Sequence, residues 1–298
     1  MSFTLQSVLD HFGLKKRPFT LLPDPAFLYM SPQHLNAQSI LDYGIASRAP
    51  ITLVTGEIGA GKTTLLRDLL GRTPDDIHIG MIANAAPADR VEMLRLVLIS
   101  LGVQASETDS YAILYTQLEA FVVEEYRAGR RVLLVFDEAQ NLDRSSLEHL
   151  RMLTNINYAE HELIQLLLIG QPELLETVRR PDLAQLAQRI SANVFLSGLS
   201  ESDVEHYIVR RLEIAGLDRE VFEPDTYKLI HGITRGVPRI VNQVCDYALL
   251  YAYSNDDQTV SIEVIEKVFE DGFILSVSRD TPVSLVPKES KSEQRKLK

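Results

Sequence analysis

The chain is expected to fold as an α/β protein: a three-layer α/β/α core built on a five-stranded parallel sheet, followed by a small all-helical domain. Three observations carry this. Short apolar runs near 51–55, 77–83, 132–136, 164–169 and 193–196 alternate with longer amphipathic stretches, the pattern of parallel strands joined by crossover helices. A glycine-rich loop separates the first of those runs from a helical stretch. After Gly198-Leu199-Ser200 the strand-like runs cease, and helical periodicity continues to about 272.

With 298 residues the chain is long enough for one large unit and one small one. Hydrophobic residues make up 45% and charged residues 24%, a balance that supports a sizeable core and excludes a disordered chain. The longest apolar runs, Val132–Phe136 and Leu166–Ile169, fall far short of the ~20 residues of a membrane-spanning helix. The first residues lack a basic segment, an apolar stretch and a small-residue cleavage site, so the expected location is the cytoplasm or the periphery of the inner membrane. One cysteine, Cys245, cannot form an internal disulfide, and the seven histidines show no metal-ligand spacing. No metal is expected beyond nucleotide-bound Mg²⁺. A net charge of −11 disfavours nucleic acid, whose phosphates need an excess of Lys and Arg.

Element by element, residues 1–48 read as an arm and a first helix. Phe12-Gly13-Leu14, Arg17-Pro18-Phe19 and Pro23-Asp24-Pro25 predict an irregular arm. Ser31 then caps a helix with Pro32 in its first position and Leu35, Ile40, Leu41 and Ile45 on its apolar side. The core spans 49–199, with helices over roughly 87–101 and 110–129 between its second and third strands. On the latter, Glu124 and Glu125 beside Arg127 and Arg130 read as a solvated face. Helices near 201–215, 224–234, 237–253 and 261–271 make a lid over 200–273. The tail, 274–298, carries Lys288, Lys291, Arg295, Lys296 and Lys298 against Glu289 and Glu293. It reads first as a solvated end and second as a docking arm for anionic lipid or a partner.

Gly56-Glu57-Ile58-Gly59-Ala60-Gly61-Lys62-Thr63 fits G-x(4)-G-K-T between the strand Ile51–Thr55 and a helix from Lys62 to Leu70. The glycines let successive main-chain N–H groups curl toward phosphates, and the positive end of the following helix reinforces them. Lys62 then reaches the β- and γ-phosphates of ATP, Thr63 ligates Mg²⁺, and Thr64 closes the first helical turn against the nucleotide. Chance would supply the four fixed positions in roughly 1% of chains this long. The strand before and the helix after lower that further.

A second strand, Arg131–Phe136, ends on Asp137 and Glu138. At the carboxyl edge of a parallel sheet, where ligands bind, the first carboxylate can hold Mg²⁺ through water and the second can polarise the attacking water. Gln171 directly follows the strand 164–170. Two readings stay open for it: a water-orienting group beside Glu138, or a cap for the helix beginning at Pro172. Arg189 closes a helical stretch before the last strand and fits either a finger reaching a neighbouring subunit's phosphate or a surface ion pair, with Arg179 and Arg180 as competitors. Arg239 opens a lid helix after Gly236-Val237-Pro238.

Several motifs together resemble the ExeA/GspA-type AAA+ secretion ATPases. They are the arm from Phe12 to Phe19, the stretch Pro23-Asp24-Pro25-x-Phe27-Leu28-Tyr29-x-Ser31-x-x-His34, the phosphate loop, Asp137-Glu138-Ala139-Gln140, Gly170-Gln171-Pro172-Glu173-Leu174 and Gly236-x-Pro238-Arg239. The order and spacing fit over about 10–272. The resemblance implies ATP bound between core and lid, homo-oligomeric self-association, and sites at subunit boundaries. It assigns Gln171 as first sensor, Arg189 as trans-acting finger and Arg239 as second sensor, and it places Tyr29 to Leu35 near the adenine. The chain resembles the soluble relatives of exopolysaccharide or envelope export loci, whose partners are export components. AAA+ regulators of transposition and replication initiation share the core and supply the competing reading, ATP-dependent DNA binding. The charge of −11 and the lack of a helix-turn-helix pattern after the lid favour the first.

Overall fold

The computed structural model describes residues 4–21, 24–158 and 160–274. They form two compact units: Met30–Ser197, and the segment ending at Tyr29 together with the chain from Gly198 onward. In chain order the elements are α1 (Leu5–Phe12), α2 (Pro32–Ala46), β1 (Ile51–Gly56), α3 (Lys62–Arg72), β2 (Ile77–Ala83), α4 (Arg90–Ser100), α5 (Tyr111–Arg127), β3 (Arg131–Asp137) and α6 (Arg144–Leu153). Then follow β4 (Asn157–Tyr158), β5 (His161–Glu162), β6 (Ile164–Gly170), α7 (Pro172–Val178), α8 (Ala184–Ala187), β7 (Ile190–Leu196), α9 (Glu201–Ile214), α10 (Pro224–Thr234), α11 (Pro238–Ser254) and α12 (Ile262–Glu270).

The five expected strands form one parallel sheet in the order β2-β3-β6-β1-β7. Its central strands β1 and β6 are buried along their whole length, which is why they read as unbroken apolar runs. Ile51, Leu53, Phe136, Leu166 and Leu168 face a layer that includes Leu94, Leu118, Leu147 and Leu174 of α4 to α7. Val54, Val135, Leu167 and Ile169 face Ala37 and Leu41 of α2 and Leu65, Leu66 and Leu69 of α3. The antiparallel pair β4–β5 was not expected, because two residues per strand are too few for any periodicity to register.

Two local expectations change. Helix α2 is capped by Ser31, whose Oγ accepts from the His34 N–H, with Pro32 in the first turn. Its buried side, however, is His34, Ala37, Leu41 and Gly44, while Leu35 is exposed. Small residues win that face because the helix lies close on the sheet: a Cβ on Gly44 would stand 2.7 Å from Thr52 Oγ1. On α5, Glu124 is exposed but Glu125 is buried. It accepts both prongs of Arg130 at 2.6 and 2.7 Å and meets His78 Nδ1 at 3.1 Å. The Arg130 hydrogen bond holds its carboxyl below the usual range, and its contact with His78 ties α5 to β2, so Glu125 is pinned and not part of a solvated face.

The other unit is helical and includes the arm. Thr4 caps α1 and Gly13, at φ 78°, ends it. Val8, Leu9, Phe12, Leu14, Phe19 and Phe27 then enter the core of α9 to α12, so the stretch 1–48 divides: the arm packs with the lid helices and α2 with the sheet. Arg211, buried in α9, fastens the arm. Its Nε donates to the Pro18 carbonyl at 2.6 Å, its Nη1 to the Tyr207 hydroxyl at 3.0 Å, and its guanidinium lies 4.6 Å from the Phe27 ring centroid. Carbonyl, hydroxyl and aromatic face together compensate a desolvated charge. Leu199 N–H bonds the Gly236 carbonyl at 2.8 Å, and a Cβ on Gly236, at φ 70°, would fall 1.9 Å from the Leu199 oxygen, so the turn before α11 requires glycine. The basic tail from 275 lies outside the described residues.

Phe19→Ala should therefore destabilise the helical unit by about 3–5 kcal/mol, read as a lowered melting temperature. An unchanged melt would mean that the arm does not belong to that core. A second expectation concerns His149, which is fully buried on α6 with Nε2 3.0 Å from the Tyr111 hydroxyl. Burial, with the nearby Arg90 charge, pushes its pKa down to about 4 from 6.5. The unfolded chain takes up this proton below pH 6.5 and the folded chain resists until about 4. Stability should thus fall across that window as pH drops, by about 3 kcal/mol in full. Denaturant titrations should show the slope reduced in His149→Gln; an identical slope would exclude this histidine as its source.

Candidate functional site

The phosphate loop has the expected frame, a strand before it and a helix after it. Gly56 ends β1, and Gly59 and Gly61 take left-handed φ values of 85° and 104°. Gly61 caps α3 without any side-chain hydrogen bond to the helix end, leaving the first N–H groups of α3 to an anion. Lys62 is buried and donates from Nζ to the carbonyls of Gly56 at 2.7 Å and Glu57 at 3.0 Å. Burial lowers its pKa, opposed by the fields of Glu138 and Asp137. His34, from the first turn of α2, braces the loop. Its Nε2 lies 3.2 Å from the Ala60 carbonyl and its Nδ1 2.8 Å from Ser31 Oγ. A carbonyl only accepts, so Nε2 carries the proton and Nδ1 accepts from the serine. A Cβ on Gly61 would stand 2.6 Å from that Nε2.

Asp137 ends β3, and its Oδ1 accepts the Glu138 N–H at 3.0 Å. Burial pushes its carboxyl pKa up, the Glu138 N–H pulls it back, and the Glu138 charge adds to the rise. Glu138 itself sits at φ 55°, ψ 39°, a strained position for a residue with a side chain. Its Oε2 accepts from Gln140 Nε2 at 2.6 Å and from Gln171 Nε2 at 3.4 Å. Gln171 does occupy the cap position of α7, yet its side chain makes no capping bond; it turns to Glu138. Because β6 lies between β1 and β3, its last residues separate the phosphate loop from the acidic pair.

The comparisons with known proteins agree with this fold. A family model described as an AAA domain matches residues 45–178. General secretion pathway protein A of Aeromonas hydrophila is 37% identical over 249 residues, which cover 84% of this chain and 45% of that protein. The chain carries an AAA domain and has the fold of the P-loop ATPases. It spans a little under half the length of its curated relative. Among solved structures, Cdc6p of Pyrobaculum aerophilum superposes with a TM-score of 0.64 at 17% identity, covering 84% of this chain and 71% of that one. Drosophila ORC bound to DNA gives 0.63 at 14%, covering 90% and 67%. The RuvB branch migration motor of Thermotoga maritima gives 0.53 at 15%, covering 83% and 73%. These three share the fold.

The AAA+ site of this chain fits a magnesium nucleotide by its donor set. The uncapped α3 terminus, the Lys62 ammonium, the Thr63 hydroxyl and the Asp137 carboxylate are groups suited to phosphate and to a hard cation that keeps part of its water. Thr63 is exposed and Thr64 half-buried in the first turn of α3, while Glu57 and Ile58 form the exposed lip of the loop and Ala60 its buried floor. The Thr55 hydroxyl, paired in register with Gly170, is buried without a partner among the described residues.

The structure groups Lys62, Asp137, Glu138 and Gln171, and it places the two arginines elsewhere. Arg189 precedes β7, whose Ile190 pairs with Ile51 at the opposite end of β1 from the loop, a strand length of roughly 17 Å away. Its guanidinium bonds Thr154 Oγ1 at 2.8 Å, Glu162 at 3.3 Å and Asn155. Arg180 pairs with Asp182, which Arg144 also meets, and Arg179 is exposed. Arg239 is exposed in the first turn of α11, in the helical unit. Sequence reasoning gave no role to Asn84, gave Gln140 only a place in a motif, and set His34 near the adenine, not against the phosphate loop. Asn84, at φ 53°, donates its N–H to the Asp137 carbonyl and accepts from Asn141 at 2.7 Å. For His34 the Ser31-x-x-His34 spacing was the available signal. Among the described residues no group of His, Cys, Asp and Glu forms a further metal site.

Lys62→Ala should abolish ATP binding, since it removes the ammonium that would hold the β- and γ-phosphates and leaves the glycine backbone in place. Titration calorimetry on the folded variant checks this; wild-type affinity would refute it.

Proposed function

We propose that the chain binds ATP·Mg²⁺ in the loop 56–63, hydrolyses it through Glu138, and self-associates to energise or gate an envelope secretion or export system at the cytoplasmic face of the inner membrane. The observation that carries the hydrolytic reading is the meeting of Glu138 and Gln171 side chains at 3.4 Å, at strand ends flanking the phosphate loop. Thr63 and Asp137 would hold a Mg²⁺, which would supply charge neutralisation at the phosphates. Glu138 accepts the proton of the attacking water, Gln171 orients that water, and Lys62 neutralises charge on the transferred group. The export reading is supported by the likeness to a general secretion pathway protein. Among the described residues no helix is long and apolar enough to cross a membrane; a partner or the basic tail is the proposed route by which this part docks at the inner membrane.

Arg189 is assigned as the trans-acting finger and Arg239 as the second sensor. A finger must stand far from its own loop and be held in one orientation, and Arg189 meets both conditions through Thr154, Asn155 and Glu162. DNA binding is the second reading, favoured by a solved neighbour described as bound to DNA; the charge of −11 weighs against it.

Glu138→Gln should bind ATP normally and hydrolyse it more slowly by a factor on the order of 10²–10⁴; near-normal turnover would move the catalytic role elsewhere. If hydrolysis is shared across subunits, Arg189→Ala should bind ATP and lose roughly 10³-fold in turnover. Mixing it with Lys62→Ala should then restore part of the activity, because one protein keeps a working pocket and the other a working finger. A mixture that co-assembles and stays inactive would exclude the trans role. Gel-shift assays at low and physiological salt separate the DNA reading: no binding below micromolar concentrations is expected, and tight ATP-dependent, salt-sensitive binding would reverse the preference.

A further inference from the structure

We infer that Gln140 is a positioning residue for hydrolysis: its side-chain amide holds the Glu138 carboxylate against the end of β6 and ties it to the main chain of Gln171. The inference rests on the reading of Glu138 given above and adds the residue that orients it. Gln140 lies in the 3-10 turn Ala139–Asn141 that follows the acidic pair. Its Nε2 donates to Glu138 Oε2 at 2.6 Å, and its Oε1 accepts the Gln171 main-chain N–H at 3.1 Å. The partners leave the amide no choice of orientation. A main-chain N–H only donates and an ionised carboxylate only accepts, so the amide oxygen must face Gln171 and the nitrogen must face Glu138.

The surroundings are shaped to this bridge. The left-handed turn at Glu138 lets residues two apart in sequence bring carboxylate and amide together, at a backbone cost that persists only where the rest of the structure enforces it. At the far end, a Cβ on Gly170 would lie 2.9 Å from Gln140 Oε1 and 3.2 Å from its main-chain nitrogen, so β6 must close on a glycine for the amide to lie there. Two donors converge on one carboxylate oxygen, and the Gln140 contact is the shorter: 2.6 Å against 3.4 Å for the Gln171 amide. A short bond to an ionised acceptor is the stronger kind. Glu138 Oε1 takes no hydrogen bond among the described residues and remains for the water proton. The other charges acting in this cluster are Asp137, through its own link to the Glu138 N–H, the Lys62 ammonium, and Glu57 and Glu173, whose fields reach that ammonium; none of them bonds the Glu138 carboxylate among the described residues. Gln140 is thus the group that fixes the carboxylate's direction, and an error of about 1 Å in such a direction costs on the order of 10²-fold in rate.

The test compares Gln140→Met, Gln140→Glu and, as reference, Glu138→Gln, measuring ATP affinity, kcat and KM. Gln140→Met keeps the length and removes both hydrogen bonds; kcat should fall on the order of 10–100-fold, with ATP affinity and melting temperature unchanged. Gln140→Glu keeps an oxygen for the Gln171 N–H but loses the donor to Glu138, so it should be no faster than Gln140→Met while still binding ATP. Wild-type kcat in a folded Gln140→Met or Gln140→Glu protein, or a loss confined to ATP affinity, would overturn the inference. Loss of turnover in Glu138→Gln alongside an active Gln140→Met would sink this inference alone, whereas an active Glu138→Gln would remove the reading beneath it.

Discussion

The site depends on one constraint, the insertion of β6 between β1 and β3. Parallel strands all end on the same edge, and their register brings Thr55 beside Gly170 and Phe136 beside Leu168. Neighbouring strands lie about 4.8 Å apart, so the loop leaving β1 and the carboxylates leaving β3 are separated by one strand width on either side of Gly170-Gln171. That spacing is enough to admit phosphate and water between Lys62 and Glu138, yet short enough for Gln171 and Gln140 to touch the carboxylate. The burial of β1 and β6 on both faces makes this spacing rigid. A side chain at the end of β6 inherits the precision of the sheet and not the mobility of a loop.

Burial at this edge also sets the charges. Lys62 and Asp137 are both desolvated and both pushed toward neutrality by it, the ammonium downward and the carboxyl upward. Each is drawn back by groups around it: the lysine by carboxylates, the aspartate chiefly by the Glu138 N–H. The loop carbonyls of Gly56 and Glu57 serve as the lysine's acceptors, weaker partners for an ammonium than phosphate oxygens. A polyanion entering the loop therefore exchanges neutral acceptors for charged ones, and a cation between it and Asp137 relieves the carboxyl of its desolvation. In the proposed function, nucleotide and metal would be favoured together for the same electrostatic reason.

Much of this was legible in the sequence, because the informative features were local. The phosphate loop, the strand ending on Asp137-Glu138 and the lid helices follow from glycine placement, apolar runs and periodicity, each a property of fewer than about twenty consecutive residues. What escaped was set by contacts distant along the chain. Leu35 looked like a core residue of α2, but close approach to the sheet selected Ala37 and Gly44 instead. Glu125 reads as one more helical charge until Arg130 and His78 are brought against it. The arm offered only prolines and aromatics to the eye, and nothing local reveals that Phe12, Phe19 and Phe27 belong to the core of α9 to α12. Gln140 carried no signal beyond its place in a motif, since a bridge between two other residues cannot be read from either end.

Arg189 shows how a structural contact and a functional assignment can share one side chain. A guanidinium presents five donors in a plane, and here the chain supplies acceptors from three places: Thr154 and Asn155 just after α6, and Glu162 on β5. Only Glu162 is charged, so the arginine is partly neutralised and fully oriented. The short β4–β5 pair thereby acquires a reason to exist, because without it Glu162 would not stand beside the residue that opens β7. An arginine left free at a surface spends about 2 kcal/mol of rotamer entropy when it is finally fixed on a phosphate. Arg189, held by Thr154, Asn155 and Glu162, has met part of that cost in folding; in the trans role proposed for it, it would exchange Glu162 for a more highly charged anion.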